Sequence, residues 1–380
     1  MELEIVPSIA RVRREEWNAL VGEASPFLEW EWLSSLEETG SAVPSEGWQA
    51  AHLLARRGGR LVAACPVYLK AHSEGEFVFD YAFAEAAERA GLRYYPKLLV
   101  GVPFTPVSGP RFLVAPEEDR EEAVRALAAG LLALCREHGL SSVHVNFCLA
   151  EEARVLSGLG FHLRVGRQFH WWNRGWSNFE DYLASLRSKR RIQIRRERRE
   201  LERQRVRIEV VAGKGIPDGL FGPMYDLYAS TTDKYVWGRR YLRRELFFRV
   251  RDLWRERLCF VLAWREGELL AGTFNVRKGD VLYGRYWGTF EELPFLHFNV
   301  CYYASLEYCL AQGLRRFEPG AGGTFKLLRG FEPVPTHSAH FFLHPGLHRA
   351  VGEYLVRERA QEEREIRFLR QHLPYRKHET

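Results

Sequence analysis

The sequence has little that would mark a secreted, membrane-spanning or metal-binding protein. Its six cysteines, at positions 65, 135, 148, 259, 301 and 309, form no CxxC pair and stand mostly within apolar runs, as buried thiols in a reducing compartment do. The most apolar stretches, 61–68 and 128–135, are far shorter than the roughly 20 residues that a membrane-spanning helix needs. The first residues show no basic segment followed by an apolar core, so we expect no secretory signal and a cytoplasmic protein.

The composition indicates an ordinary folded protein. Hydrophobic residues make up 46% of the 380 residues and charged residues 27%, which excludes collagen-like, coiled-coil rod and low-complexity proteins. At roughly 150 residues per domain, the length predicts two domains.

The positive charge is concentrated in one segment. The net charge is +6, yet residues 187–207 hold eleven Lys or Arg and three Glu, a local charge of +8, so the rest of the chain sums to about −2. Only eight of the 55 basic residues are lysine, so part of this arginine density follows a preference of the whole chain. The segment nevertheless predicts a basic helix.

A weak internal repeat predicts the architecture. Residues 52–64 align with 260–272 at an offset of 208, and each segment is typical of a β-hairpin. CREHGL at 135–140 matches CLAQGL at 309–314, with Gly139 and Gly313 where a helix C-cap is expected. His170-Trp171 matches His340-Phe341 at an offset of 170. The drop in offset from 208 to 174 predicts an excess of about 34 residues near 73–111 in the first copy.

The order of elements indicates an α+β fold of mixed α/β layers, with two tandem cores built on mixed sheets. We expect a first core over 1–175 with the inserted segment near 73–111, and a second over 176–345 preceded by the basic helix at 180–205. A C-terminal helix completes the chain over 346–380.

Several long phrases resemble a known family. FVFDYAFAEAAERAGLRYYPKLL, VPFTPVSGPR, RRIQIRRERRE, LYGRYWG and FEPGAGGTFKLLRGFEPVPTHSAH are similar to the FemAB-like, peptidoglycan-biosynthesis group of GNAT acyltransferases, and the resemblance covers nearly the whole chain. It implies two tandem GNAT cores and transfer of an acyl or aminoacyl group to an amine. Where that family usually has Glu and Gly-Glu-His-Lys, this chain has Asn299 and Gly323-Thr324-Phe325 before Lys326. The QxxGxG/A loop of ordinary acetyl-CoA enzymes is absent from the sequence.

Candidate residues for catalysis and donor binding lie in the second copy. Glu318 ends a strand near the place where the resemblance to GNAT enzymes implies that the central sheet splays open. A desolvated carboxylate there would serve as a general base, and a solvated or arginine-paired glutamate is the alternative. His297 precedes a helix and shares a face with Cys301 at i+4, with an inert buried cysteine as the alternative. Tyr286 and Trp287 lie in a strand whose glycines indicate a bulge or a close approach of the backbone, with an ordinary aromatic core strand as the alternative. The backbone of the loop that follows Glu318 would approach a phosphate of the donor. The donor-binding candidates are Gly320, Gly322, Gly323, Thr324 and Lys326, together with Trp287 of the strand. A tight turn with Thr324 as N-cap is the simpler alternative.

Two further sets complete the candidates. The inserted segment is predicted to bind the acceptor, and the alternative is that it only covers the core. Its candidate acceptor-binding residues are Asp80, Tyr94, Tyr95, Lys97, Phe104 and Thr105. The outer face of the basic helix is predicted to bind a polyanion, and the alternative is a helix that is only solvated. The candidate polyanion-binding residues are Arg195, Arg196, Arg198 and Arg199.

We therefore expect a GNAT-type N-acyltransferase without a tightly bound cofactor or metal. Its cosubstrate would be acyl-CoA or aminoacyl-tRNA, and its acceptor a small-molecule or cell-wall-precursor amine. A non-catalytic nucleic-acid-binding protein that uses the basic helix is the alternative, and a Cys–His hydrolase that uses Cys301 is a third hypothesis.

Overall fold

The structure, a computed structural model, describes residues 1–234 and 238–376, so the last residues of the expected C-terminal segment lie outside the described part. The strands are β1 (Glu2–Val6), β2 (Trp48–Ala50), β3 (His52–Arg57), β4 (Arg60–Cys65), β5 (Val67–Lys70), β6 (Lys97–Val100), β7 (Leu113–Val114), β8 (Ser142–Cys148), β9 (His162–Trp172), β10 (Arg207–Ala212), β11 (Leu258–Arg265), β12 (Glu268–Lys278), β13 (Val281–Thr289), β14 (Arg316–Glu318) and β15 (Glu332–Phe342). The α-helices are α1 (Arg14–Val21), α2 (Trp30–Glu38), α3 (Tyr81–Arg89), α4 (Arg120–Glu137), α5 (Ala150–Ser157), α6 (Phe179–Ser185), α7 (Ser188–Arg203), α8 (Phe221–Asp233), α9 (Arg244–Trp254), α10 (Leu296–Phe298), α11 (Ala304–Ala311) and α12 (Pro345–Gln371). None of these described helices combines the length and apolarity that crossing a bilayer requires.

The chain divides into two compact units. Unit 1 comprises Met1–Arg167 and Pro335–Glu365, and unit 2 comprises Gln168–Val334 and Ile366–Thr380. The division differs from the boundaries expected at 175 and 345, because the second half of β15 pairs with β8 and so returns to unit 1.

Unit 1 contains two groups of strands that share an apolar core. β1, β3, β4 and β7 form an antiparallel sheet, and β2, β5, β6, β8 and β15 form a mixed one in which only β6 and β8 run parallel. Helix α4 buries its apolar face against both groups, with contributions from Leu127 and Leu131. The side chain of Asp119 accepts a hydrogen bond from the backbone N–H of Glu122 and so caps the start of α4.

Unit 2 is built on an antiparallel meander that ends in a parallel pair. β10, β11, β12 and β13 run antiparallel in chain order, β14 pairs with β13 in parallel, and the end of β9 pairs with β14. Helix α8 lies so close to β13 that a Cβ on Gly288 would come within 1.8 Å of the Leu227 carbonyl oxygen. Only glycine permits this approach.

The two hairpins predicted from the repeat are equivalent in register. Ala55 pairs with Ala63 in unit 1, and Ala263 pairs with Ala271 in unit 2, each residue offset by 208 from its counterpart. Both hairpins change register at the next residue, between Ala55 and Arg56 and between Ala263 and Trp264. A shared bulge at the same place is strong support for duplication.

The two helix ends predicted from CREHGL and CLAQGL are also equivalent. Gly139 and Gly313 both have positive φ, and the next residue in each case donates its N–H to the cysteine carbonyl five residues earlier, at 2.9 and 2.8 Å. These are the C-caps that the sequence predicts.

The strand pairings locate the excess of unit 1. The pair Lys70–Lys97 corresponds to Lys278–Val281, so the offset falls from 208 to 184 between these strands. Most of the extra residues therefore stand between β5 and β6, around helix α3.

The basic helix differs from the prediction. One continuous helix over 180–205 was expected, but α6 and α7 are separated at Leu186 and Arg187. Leu186 is fully buried in extended conformation and forms an isolated β-bridge with Tyr375. Burial of this side chain, which helical periodicity alone does not reveal, breaks the helix.

Candidate functional site

The parallel pairing in unit 2 ends after three residue pairs. Tyr283 of β13 and Glu318 of β14 form the last pair, β14 ends at Glu318, and β13 continues to Thr289. β13 also carries a bulge at Arg285, since Phe274 pairs with Tyr286 and Asn275 with Gly284. The bulge that the strand glycines predict is thus confirmed.

Glycines allow the loop at 320–323 to pack on β13. A Cβ on Gly284 would lie 3.2 Å from the Pro319 backbone, and one on Gly320 would lie 3.1 Å from the Gly284 carbonyl oxygen. Gly320, Gly322 and Gly323 all have positive φ, which other residues rarely adopt.

Lys326 holds this loop in place. Its Nζ donates to the carbonyl oxygens of Gly320, at 2.7 Å, and Ala321, at 3.2 Å. Burial lowers the pKa of Lys326 to about 8. The loop leads into a six-residue 3₁₀ helix, Thr324–Arg329, whose N-cap is Gly323. The alternative of Thr324 as N-cap is therefore wrong.

A cavity of about 220 Å³ lies beside the loop and β13. It gathers six of the nine predicted catalytic and donor-binding residues: Tyr286, Trp287, His297, Gly322, Gly323 and Lys326. Gly320 and Thr324 do not line it, although their neighbours Ala321 and Phe325 do. Sequence reasoning missed Thr273 and Asn275, two polar lining residues that are two apart in β12.

His297 lies among aromatic rings. Its imidazole centroid is 5.1 Å from that of Trp287 and 5.3 Å from that of Tyr302. Burial, with the nearby charges of Lys326 and Arg329, lowers the pKa of His297 to about 4, so the ring is neutral at pH 7.

Neither Cys301 nor Tyr286 ionises at neutral pH. Burial raises the pKa of the Cys301 thiol well above its usual value, so Cys301 is not the activated thiolate that a Cys–His hydrolase needs. Burial likewise raises the pKa of Tyr286, whose hydroxyl stays protonated.

Glu318 is buried, with 5% of its surface exposed, next to the lining residue Pro319. It does not itself line the cavity, so the structure brings Lys326 and Tyr286 to one cavity and leaves Glu318 beside it. Its carboxylate lies 3.6 Å from His170 Nε2 and 3.0 Å from Arg316 Nε. Burial raises the pKa of Glu318 to about 7.

The predicted polyanion face is exposed and borders a groove. Arg195, Arg196 and Arg199 are exposed and Arg198 is half-buried. Three of them, Arg195, Arg198 and Arg199, line a groove of about 1000 Å³ formed with α6 and α11. Arg198 pairs with Glu307 at 2.7 Å, and Arg195 pairs with an exposed glutamate of α6, so part of the charge is compensated.

The inner face of α7 carries a buried ion pair. Glu197 of α7 is buried and pairs with Arg329 at 2.9 Å. Tyr303 donates to the same carboxylate, and Arg329 Nε donates to the Tyr303 hydroxyl at 2.8 Å. The pair ties α7 to the short helix that carries Lys326.

The residues predicted to bind the acceptor form a closed network in unit 1. Lys97 is fully buried and pairs with Asp80 and, at 3.0 Å, with Glu76. Tyr94 donates to Asp80 Oδ2 at 2.6 Å, while the half-buried Tyr95 bonds to a serine hydroxyl.

Phe104 and Thr105 lie apart from this network but are buried as well. Phe104 packs on Trp48 with ring centroids 5.1 Å apart, and Thr105 donates to the Pro103 carbonyl. Buried side chains of this kind favour the alternative of structural cover, and an acceptor-binding role of this set stays a prediction.

Comparison with known proteins gives one family and several related folds. A family model described as FemAB-like, peptidoglycan biosynthesis/recognition, matches residues 8–377. No curated protein matches the chain. The crystal structure of FemX superposes with a TM-score of 0.56 at 13% identity, covering 93% of this chain and 100% of that one.

Two further solved structures have the same fold. The L-PGS structure from Bacillus licheniformis gives a TM-score of 0.53 at 10% identity, covering 90% of this chain and 97% of that one. The C-terminal domain of a putative lysylphosphatidylglycerol synthetase from Agrobacterium fabrum gives 0.56 at 10% identity, covering 92% and 96%. At such identities these likenesses establish a shared fold.

Proposed function

The chain belongs to the FemAB-like family and is an acyltransferase with tandem GNAT cores, and on this premise we propose that unit 2 transfers an acyl or aminoacyl group to an amine in the cavity beside the 320–323 loop. The observation that carries the proposal is the cavity beside β13, where that strand continues beyond its last pair with β14, next to a buried carboxylate. The proposed acceptor is a cell-wall precursor with a free amine.

Each candidate side chain has a proposed role. Glu318, whose pKa of about 7 suits a general base at neutral pH, would take the proton that the amine loses. Neutral His297 would accept a hydrogen bond from the amine, and the protonated Tyr286 would donate one. The loop glycines, Thr324, Lys326 and Trp287 would hold the donor, and no tightly bound cofactor is needed.

The donor would be acyl-CoA or aminoacyl-tRNA, and the arginine face of α7 supports a phosphate-bearing substrate. We propose that the groove at α7 binds phosphates of the tRNA or of a nucleotide-linked acceptor. Replacing Arg195, Arg196, Arg198 and Arg199 by Gln should then weaken binding and flatten its salt dependence. The log–log slope should fall by about 0.7 to 0.9 for each nucleic-acid phosphate that the variant no longer neutralises.

A matched variant controls for the loss of four charges. Arg349, Arg357, Arg364 and Arg367 are exposed on α12, and their replacement by Gln removes the same charge elsewhere. Equal slopes for the two quadruple variants would leave α7 as a solvated helix. A protein that binds nucleic acid without any transfer would match the alternative function.

The test of the proposed function is transfer of radiolabel. Purified protein is incubated with a nucleotide-linked muramyl peptide that has a free amine, and with either labelled aminoacyl-tRNA or labelled acyl-CoA. Product mass identifies the donor class. Absence of transfer in both arms, with several acyl groups, would refute the proposal.

A further inference from the structure

Two buried polar side chains of β12 face the cavity with unmet hydrogen-bonding capacity. Thr273 and Asn275 are 3% and 1% exposed, and they are two residues apart, so both point to one face of the strand. Thr273 Oγ1 and Asn275 Nδ2 have no hydrogen-bond partner among the residues that the structure describes. Leaving a buried donor unpaired costs about 1–3 kcal/mol, so such groups usually await a ligand or water.

Unit 1 shows that the fold does not need polar residues at these positions. With the hairpin offset of 208, Thr273 corresponds to Cys65 and Asn275 to Val67, and the pairs Leu53–Cys65 and Val261–Thr273 have the same register. Cys65 and Val67 are fully buried in the apolar core of unit 1. The hydroxyl and the amide are therefore particular to the unit that contains the cavity.

The charges around the cavity favour a negative ligand atom. Lys326 and Arg285 are lining residues, and the described lining includes no aspartate or glutamate. The neutral ring of His297 adds no competing charge. Donors and cations that are fixed in a site of low water content stabilise an oxyanion far better than bulk water does.

We propose that Thr273 and Asn275 form a side-chain oxyanion site for the acyl carbonyl of the donor, an inference that rests on the proposed function. The amine nitrogen bonds to the carbonyl carbon, and the carbonyl π electrons move to the oxygen, which accepts hydrogen bonds from Thr273 Oγ1 and Asn275 Nδ2. On collapse the C=O bond re-forms and the bond to the leaving oxygen or sulfur breaks. The proton lost by nitrogen ends on the leaving group.

The experiment compares Thr273→Val and Asn275→Leu with the wild-type protein. Single-turnover transfer is measured at saturating donor, in separate aminoacyl-tRNA and acyl-CoA arms, together with donor affinity and Tm. Each variant should lose about 10²- to 10³-fold in transfer rate, the usual cost of one oxyanion donor, with donor affinity within twofold of wild type. Because each substitution removes an unpaired buried donor, Tm should rise.

Several results would overturn the proposal. Unchanged rates, or a loss accounted for by donor affinity alone, would exclude an interaction formed in the transition state. A fall in Tm would show that the two side chains hold the fold together, a purely structural role. Absence of transfer by the wild-type protein is a different result, because it refutes the proposed function itself.

Discussion

Glu318→Gln should make the stability of the protein less dependent on pH. Burial raises the pKa of Glu318 from 4.5 to about 7, so the folded protein favours the neutral carboxyl more than the unfolded chain does. The stabilising effect of this raised pKa is fully present below pH 4.5 and is lost as pH rises through 7. At about 1.4 kcal/mol for each pH unit, the loss amounts to about 3 kcal/mol.

Glutamine does not ionise, so the variant escapes this loss. Between pH 5 and 8, the free energy of unfolding of the variant should rise relative to wild type by about 2 to 3 kcal/mol. Urea denaturation followed by tryptophan fluorescence at both pH values measures the difference. Glu245→Gln, at an exposed position of α9, is the matched control and should show no such change.

A catalytic assay gives an independent check. If the Glu318 carboxylate is the general base, wild-type kcat/KM should rise through about pH 7, and the variant should lose about 10²-fold or more. A wild-type-to-variant difference in unfolding free energy that is constant across pH would refute the burial argument. Full activity of the variant would remove Glu318 from the mechanism.

Three further predictions concern unit 2. Arg329→Met should lower the free energy of unfolding in urea by about 3–5 kcal/mol, because it leaves the carboxylate of Glu197 buried and unpaired. The double variant Glu197→Gln, Arg329→Met should lose less, and an equal or larger loss of unfolding free energy would contradict this reasoning. Gly288→Ala should cost about 1–3 kcal/mol or more through its clash with α8, whereas Gly219→Ala, which meets no atom within 4 Å, should cost little in the same assay. Lys326→Met should weaken donor binding about tenfold with a smaller effect on kcat, since it releases two loop carbonyls; a lower kcat at unchanged donor affinity would count against that role.

The sequence predicts the fold correctly where local patterns repeat. The hairpins, the glycine caps at Gly139 and Gly313 and the strand bulge near Gly284 follow from short segments, and the structure confirms each of them. The break at Leu186 did not follow, because it depends on burial against Tyr375, nearly 190 residues away.

The residues of the cavity could be predicted only in part, for the same reason. Loop glycines and aromatic strands have recognisable spacing, but unmet hydrogen-bonding capacity is a property of three-dimensional neighbours. Thr273 and Asn275 look in sequence like ordinary residues of a half-polar strand. Likewise Glu197 resembles a surface residue of a charged helix, and its partner Arg329 is 132 residues away.

The two units place different groups at equivalent strand positions, and this difference favours unit 2 as the place of acyl transfer. The pair Leu99–His144 corresponds in register to Tyr283–Glu318, so His144 takes the position of Glu318, and His340 that of His170. Burial lowers the pKa of both histidines of unit 1, that of His144 to about 3, and they share a hydrogen bond of 2.6 Å between Nδ1 atoms.

In unit 1 this position therefore holds two neutral imidazoles that are hydrogen-bonded to each other, and no carboxylate that could take a proton from an amine. Asp80 of the inserted segment also forms a buried ion pair with Lys97 of β6 in the same interior, where Tyr94 bonds to Asp80 and approaches His144 at 3.5 Å. Unit 1 thus uses its polar residues to satisfy one another. In unit 2, with about 34 fewer residues between hairpin and helix, the corresponding glutamate keeps a pKa of about 7 beside an open cavity. The insertion accounts for the closed interior of unit 1, and its absence from unit 2 accounts for the open cavity there.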